Sequence, residues 1–347
     1  MTLAPLAPDT RFTRSRRAAA VLVTGAGGPA GIAVVRRLVA LGHRVVAVDA
    51  DPAAAGLALA DTGLVVPRAD SADFVDVLLA VCTLHGVDAL IPTVAEELPT
   101  LADGAVRLAA VGVATWLPDP VAVAVCCDKA AFAARMHAAG IPHPACTDEV
   151  PGVSRVPGPW IVKPRAGRGS RGVRSLDDPA AVVSALLEDP TLIAQTRLSG
   201  REFTADALAG RDGRMLAVVP RWREETKAGI SVKGTTFDSA EVSAVVTDAL
   251  AAVGLTGPAN VQGFVAEDGA VTVVEINPRF SGGLPLALTA GADVVSTYLA
   301  GIRDASAALP QLTFRAGVRM SRYFAETYSS EDGAPVPDPC AGEAVYR

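Results

Sequence analysis

Histidine is scarce in this chain: His43, His85, His137 and His143 are the only four among 347 residues, and all lie in the first half. A phosphohistidine intermediate or a serine–histidine relay in the second half would have to borrow one of them. Cysteine is nearly as sparse. Cys82, Cys126, Cys127, Cys146 and Cys340 contain no C-x-x-C pair and are odd in number. Neither a zinc site nor a disulfide framework follows from them, and a reducing cytoplasm is the expected compartment. Basic residues are outnumbered, 31 against 37, and aromatics make up only 5%. Nonspecific nucleic-acid binding and a base-stacking groove therefore find no support. No apolar run approaches the ~20 residues of a membrane helix. Arg16-Arg17 before Ala18–Val23 imitates an export signal, but the segment runs into Gly25-Ala26-Gly27-Gly28 without a small-residue cleavage site. A hydrophobic share of 50% with 20% charged residues is that of a globular chain, and at about 150 residues per domain its length suggests two or three domains.

What is present begins with an alternation of strand and helix signals. Ala19–Thr24 is an apolar run, Gly25–Gly31 a turn, Ile32–Leu41 a helical pattern and Arg44–Asp49 a second strand. Short strands end at Val65-Val66 and Ala89–Pro92, with a helix over Phe74–His85 between them. Such alternation predicts a parallel sheet covered by helices. From about residue 128 the texture changes to α+β. A helix spans Lys129–Ala139, a strand Trp160–Lys163, then a helix near Ala180–Leu187. Strands follow near 191–195, 201–209 and 214–220, then a helix over Ser239–Val253, a hairpin over 259–277 and a helix near Val294–Leu299.

The turn Gly25-Ala26-Gly27-Gly28-Pro29-Ala30-Gly31 leads from a strand into a helix, and Asp49 ends the next strand. Glycines there allow a phosphate to approach a helix N-terminus, with the acid on a ribose, as in a dinucleotide site. The same glycines are also the tightest way to pack a strand on a helix. The phosphate-binding pattern G-x-x-x-x-G-K-[ST] is absent.

The second half carries more chemistry. Asp268-Gly269 between alternating apolar runs signals a two-residue hairpin, which sets Gln262 opposite Glu275. Asn277 shares their face at i, i+2, and Arg279 follows. Three oxygen donors so placed suit magnesium, an ion commonly shared with phosphates. Upstream, a buried strand ends in Lys163. The loop Pro164-Arg165-Ala166-Gly167-Arg168-Gly169-Ser170-Arg171-Gly172-Val173 follows it. Backbone N–H groups and flanking cations suit closure over a polyphosphate. Arg221, Arg223, Lys227 and Lys233 lie between a strand and the Ser239 helix, as cations for an acceptor carboxylate or phosphates, or as a solvated loop paired with Glu224 and Glu225.

Five segments in register resemble the ATP-grasp enzymes: Asp128-Lys129-Ala-Ala-Phe132, Val162-Lys163-Pro164, Gly167–Gly172, Gln195 through Gly200-Arg-Glu202-Phe203-Thr204, and Glu275-Ile-Asn277-Pro-Arg279. The chain looks most like the branch holding the carbamoyl-phosphate synthetase large subunit and its small carboxylate–amine ligase relatives. The resemblance covers roughly residues 20–325. It implies a Rossmann-like parallel-sheet domain at 20–120, an ATP-grasp small lobe with a glycine-rich flap at 121–190 and a large lobe at 191–325, with tails at 1–19 and 326–347.

The resemblance also implies roles. Lys129 and Lys163 reach ATP phosphates, and Gly167, Gly169, Ser170 and Gly172 form the flap over them, with Arg171 beside the reacting groups. Gln195, Thr196 and Arg197 form the adenine hinge, and Glu202 binds the ribose. Gln262, Glu275 and Asn277 hold Mg2+, and Arg279 lies beside the transferred phosphoryl group. Arg221, Arg223, Lys227, Ser281 and Gly282 are candidate substrate contacts. The N-terminal domain of this family usually binds no NAD and instead helps shape the acceptor pocket. Two departures stand out. Gln262 replaces a carboxylate, and the length leaves no room for the duplicated synthetase or an amidotransferase unit.

The expected activity is ATP-dependent: a carboxylate becomes an acyl phosphate, which an amine captures with release of ADP and phosphate. A carboxylate or carbamate kinase that stops at the acyl phosphate is the near alternative. An NAD(P)-dependent reductase or a nucleotide-sensing protein built on Gly25–Gly31 is the distant one. Small-molecule acid and amine partners are expected in the cytoplasm, without nucleic acid or membrane and with a homodimer left open.

Overall fold

The computed structural model describes residues 18–167, 169, 171–227, 229–330 and 335–337. Most of both expected tails, Cys340 among them, lies outside the described residues, as do Arg168 and Ser170 of the flap.

The N-terminal domain runs β1 (Ala20–Thr24), α1 (Pro29–Ala40), β2 (Arg44–Asp49), α2 (Ala55–Ala58), β3 (Thr62–Val65), α3 (Phe74–Leu84), β4 (Ala89–Ile91) and α4 (Leu98–Ala110). Its four strands are parallel in the order β3-β2-β1-β4. β1 is buried along its whole length, which is why it reads as a continuous apolar run rather than an alternation.

Two helices follow, α5 (Pro120–Cys127) and α6 (Lys129–Ala138). Asp119 and Asp128 cap them through Val121 N and Ala130 N. The small lobe comprises β5 (Cys146–Thr147), β6 (Trp160–Pro164), β7 (Arg174–Leu176), α7 (Pro179–Glu188) and β8 (Leu192–Thr196), its antiparallel sheet ordered β5-β8-β6-β7. β8 lies just past the expected seam at 190 yet completes this sheet. Conversely, Ala122, Cys126, Phe132 and Met136 of α5 and α6 are buried in the core of the large lobe.

The large lobe contains β9 (Arg201–Ala209), β10 (Met215–Lys227), β11 (Ile230–Thr236), α8 (Ala240–Val253), β12 (Gly257–Val265), β13 (Val271–Asn277), α9 (Leu284–Thr289), α10 (Val294–Arg303) and β14 (Arg319–Ser321). The sheet order is β13-β12-β9-β10-β11-β14. Ser239 caps α8 through Val242 N, and Gly254 ends it in the left-handed region. β11 and the outer half of β10 replace the loop expected around Arg221–Lys233. Trp222 is the only apolar residue from Arg221 to Lys227, so no period-2 signal marks the strand.

One core joins the N-terminal domain to the large lobe. Val34, Val35 and Leu38 of α1 bury with Val294, Val295, Tyr298 and Leu299 of α10, each such side chain contributing about 1.5–3 kcal/mol. Tyr298 donates to Trp116 O, and Arg37 pairs with Asp293 at 2.7 Å. The glycine turn before α1 is thereby fixed against the large-lobe sheet. Among the described residues no helix is long and apolar enough to cross a membrane.

Candidate active site

A cleft of about 1310 Å³ lies between the large-lobe sheet, the small lobe and the N-terminal domain. Its floor follows from strand alternation. Phe203, Ala205 and Ala207 of β9 enter the core, which turns Glu202, Thr204 and Asp206 to the other face. β12 lies beside β9, with Gln262 opposite Thr204 and Asn260 opposite Asp206. On its other side Gln262 faces Glu275 and Asn260 faces Asn277.

The pairing of Gln262 with Glu275 is the expected one, but the turn is not. Ala266 N donates to Ala270 O, leaving a three-residue loop with Gly269 at φ +87. Val265 therefore pairs with Val271, and a bulge between Gln262 and Gly263 restores the register. Without that bulge, Glu275 would not share a face with Gln262.

The three oxygen donors are held by their neighbours. Arg223 Nη1 donates to Gln262 Oε1 at 2.7 Å and forms an ion pair with Glu202 Oε1 at 2.9 Å. Asn277 Nδ2 donates to Glu275 Oε1 at 3.0 Å, and Arg279 Nη2 to Asn277 Oδ1 at 3.3 Å. Among the described residues no three His, Cys, Asp or Glu side chains converge. One carboxylate and two amide oxygens on one face fit a hard cation that completes its shell elsewhere. Burial raises the Glu202 carboxyl above its usual range, with Arg223 pulling the other way.

Lys163, next to last in β6, enters the cleft almost fully buried. Its pKa is lowered from 10.5 to about 8, chiefly by burial and further by Lys129, against the pull of Glu275. Lys129 Nζ donates to Gly167 O at 3.2 Å. Gly167, Gly169 and Arg171 line the cleft. A Cβ on Gly229 would lie 3.1 Å from the Gly169 backbone, so the flap meets the β10–β11 turn. Gly172, where a Cβ would pack on Pro164 at 3.1 Å, sits at the flap base. Arg165 is absent from the cleft lining: it is bound to Asp128 and Asp148, each at 2.8 Å, and ties the flap base to the cap of α6.

At the expected hinge Gln195 is buried between β5 and β6. Thr196 N donates to Ala145 O and Arg197 N to Pro159 O. The Arg197 guanidinium is held by Ser175 and Asp177.

At the far end Arg221 is buried, with Nε on Asp206 at 2.9 Å and Nη2 on Ser281 Oγ at 3.2 Å. Gly282 lines the cleft, whereas Lys227 is exposed at the strand end. Of the pairs expected within the Arg221–Lys233 segment, Lys233 with Glu225 forms, at 2.7 Å. Asn260 and Asp206 had no signal of their own in the sequence and Thr204 no role, although they share a face with Gln262, two residues from Asn260, and with Glu202, two and four residues from Thr204 and Asp206. Arg322 carried no local signal; it reaches Gly282 O and Ser231 O from the chain end.

The first glycine turn is explained by packing. A Cβ on Gly25 would strike Val94, one on Gly27 would lie 2.7 Å from Ala54, and one on Gly31 would strike Gly25 O. Asp49 accepts from Gly27 N at 2.7 Å, which engages the carboxylate a dinucleotide ribose would use.

Residues 188–323 match the family model described as ATP-grasp in the biosynthetic pathway with Ter operon. Residues 21–116 match that described as PylC-like, N-terminal domain. No curated protein matches the chain. Among solved structures, Campylobacter jejuni biotin carboxylase superposes with a TM-score of 0.71 at 16% identity, over 91% of this chain and 77% of that one. N5-carboxyaminoimidazole synthetase of Staphylococcus aureus, complexed with ADP, gives 0.68 at 16%, over 85% and 80%. The L-amino acid ligase of Bacillus licheniformis gives 0.64 at 17%, over 84% and 75%. At such identities these likenesses establish the fold. By these matches residues 188–323 are an ATP-grasp domain and residues 21–116 a PylC-like N-terminal domain, and the chain carries the fold of these solved structures.

Proposed function

We propose that this chain is an ATP-dependent carboxylate–amine ligase. The observation that carries the reading is the facing of two charge sets across one cleft: Glu202, Gln262, Glu275 and Asn277 on its floor, Lys163 and the flap opposite. The biotin carboxylase, carboxyaminoimidazole synthetase and amino acid ligase relatives support it as proteins of the same fold.

In this reading Glu202 receives the ribose and Gln195–Arg197 border the adenine, while Lys129, Lys163 and the flap glycines embrace the phosphates. Glu275, Asn277 and Gln262 would hold a magnesium ion, which supplies neutralisation of phosphate charge. The substrate carboxylate attacks the γ-phosphorus, the bond to ADP breaks, and an acyl phosphate forms. Lys163, Arg171 and Arg279 stabilise the charge spread over the transferred group, so catalysis is positioning and electrostatics rather than covalent chemistry by the protein. The amine then attacks the acyl carbon, phosphate departs, and the amine proton passes to solvent. None of the four histidines lines the cleft, in keeping with a route that needs no protein nucleophile.

The test is ADP release measured across a panel of carboxylates and amines. Release that requires both, with an amide in the products, is expected. Release with the acid alone and no amide would favour the kinase, and no carboxylate-dependent release would overturn the reading.

A further inference from the structure

Buried donors and acceptors almost always find partners, which makes three atoms of the cleft floor informative. Arg221 Nη1, Thr204 Oγ1 and Asn260 Oδ1 are buried without a hydrogen-bond partner among the described residues. Thr204 lies directly across from Arg221, and Asn260 pairs with Asp206, the acid that holds the Arg221 Nε. All three line the cleft.

The pose of Arg221 is enforced. Asp206 and Ser281 take two of its nitrogens, and any side chain at Gly283 would collide with its guanidinium. Gly283 N in turn donates to Ser281 Oγ at 3.0 Å. The glycine therefore lets the loop lie flat against the arginine, and Nη1 is left as the one guanidinium nitrogen without a partner among the described residues.

That same loop abuts the N-terminal domain. A Cβ on Gly282 would sit 3.3 Å from Pro29 Cβ, and Pro29 is the first residue of α1. This 12-residue helix has Gly28 at its N-cap, no side-chain cap bond and no acid in its first turn. Its N-terminus, with partial positive charge, favours an anion. Gly28, Pro29 and Ala30 line the cleft alongside Arg221.

We propose that Arg221 and the N-terminus of α1 together seat a carboxylate of the substrate, on the N-terminal-domain side of the cleft and apart from the nucleotide. The proposal rests on the ligase reading above. Charge selects a monoanion: Arg221 and Arg322 against Asp206 leave one net positive charge, and Asp49 and Glu97 near the turn disfavour a second negative one. Position separates the seat from the triphosphate, because Lys163 and the flap reach the cleft from the small lobe and Lys129 binds the flap at Gly167 O. The carboxylate could belong to the acid being activated or to an amino acid serving as amine, and both sources carry the same group.

Two variants test the seat, by isothermal titration of propionate and of L-alanine in the presence of Mg-ADP. Gly28→Asp places a carboxylate at the N-cap. Gly28 has φ −74 and ψ 158, and its Cβ would meet only Gly25 O at 3.6 Å, so a capping aspartate is accommodated and helix stability is kept or raised. Arg221→Lys keeps charge toward Asp206 but loses the unpartnered nitrogen. The expected result is wild-type binding of at least one probe, weakened tenfold or more in both variants, with Mg-ADP affinity within twofold and thermal midpoint not lowered in Gly28→Asp. Propionate binding assigns the carboxylate to the acid, and binding of L-alanine alone assigns it to the amine partner. Probe affinities unchanged in both variants, no probe binding to wild type, or a loss confined to Mg-ADP would overturn the seat. Failure of the wild-type chain to bind Mg-ADP would instead strike at the ligase reading.

Discussion

Arg223 joins Glu202 to Gln262: one nitrogen, Nη1, lies 2.9 Å from the former's carboxylate and 2.7 Å from the latter's amide oxygen. Its second nitrogen reaches Gly229 O at 3.2 Å, in the turn that meets the flap. A single side chain thus spans the proposed ribose contact, a proposed metal ligand and the rim under the flap. Replacing Arg223 with Met keeps much of its length but strands the half-buried Glu202 and the Gln262 oxygen. A loss of about 1–3 kcal/mol in stability is expected, measured as a lower urea midpoint at unchanged slope. Affinity for ATP should fall with it, because Glu202, already pushed upward by burial, loses the cation that opposes the push.

Gly229→Ala tests flap closure. Gly229 has φ +76, and the added methyl would lie 3.1 Å from the Gly169 backbone. The left-handed conformation alone costs roughly 1–2 kcal/mol for an alanine, and the contact pushes the flap outward. The KM for ATP should rise about tenfold, the equivalent of 1.4 kcal/mol, with smaller change in acid affinity. Equal effects on both substrates would indicate a general loosening of the lobe.

Lys163 predicts a pH dependence with a definite sign. Its pKa is depressed to about 8 in the folded chain from an ordinary 10.5. Below pH 8 the lysine is charged in both folded and unfolded states, and its burial penalty is fully felt. Between about pH 8 and 10.5 the unfolded chain binds more protons, so this group's contribution to stability rises with pH. Lys163→Met should abolish that rise, seen by comparing denaturant midpoints at pH 7.5 and 10. ATP binding runs the other way. Phosphates favour the ammonium, so affinity should fall above about pH 8, with proton uptake on binding visible as a buffer-dependent heat.

Much of this site was legible in the sequence because its residues sit at fixed intervals on regular strands. Gln262, Glu275 and Asn277 are brought to one face by alternation and pairing, and Lys163 lies near the end of an apolar strand. What stayed hidden depended on distant contacts. The Arg221–Lys227 strand lacks an apolar alternation because Arg221 and Arg223 line the polar cleft while Glu224, Thr226 and Lys227 are exposed, so beyond Trp222 neither face packs on a core. Arg165 reads as a phosphate cation until Asp128 and Asp148, far from it in sequence, are seen to hold it. Arg322 bonds backbone oxygens of two remote segments, for which no local pattern exists. The glycines of the first turn look like a phosphate loop, yet Val94 and Ala54, which require them, arrive from elsewhere in the fold.

The metal prediction turns on charge. Among Gln262, Glu275 and Asn277 only Glu275 is an acid, so the chain alone should hold magnesium weakly and need phosphate oxygens to complete the shell. Glu275→Gln removes that charge at nearly constant volume. Turnover should fall at least about a hundredfold, the scale of losing several kcal/mol of transition-state stabilisation. ATP affinity should fall less, since the proposed nucleotide contacts at Gln195–Glu202 survive. Gln262→Glu adds a second carboxylate, but Arg223 already lies 2.7 Å from that side chain and would neutralise part of it. A modest tightening of metal binding is therefore expected, and combining it with Arg223→Met should tighten it further. Manganese titration followed by electron paramagnetic resonance, with and without ADP, measures each step. If Glu275→Gln turns over normally at ordinary magnesium and binds manganese as before, these three residues are only a polar strand face, and the metal ligands lie elsewhere in the cleft.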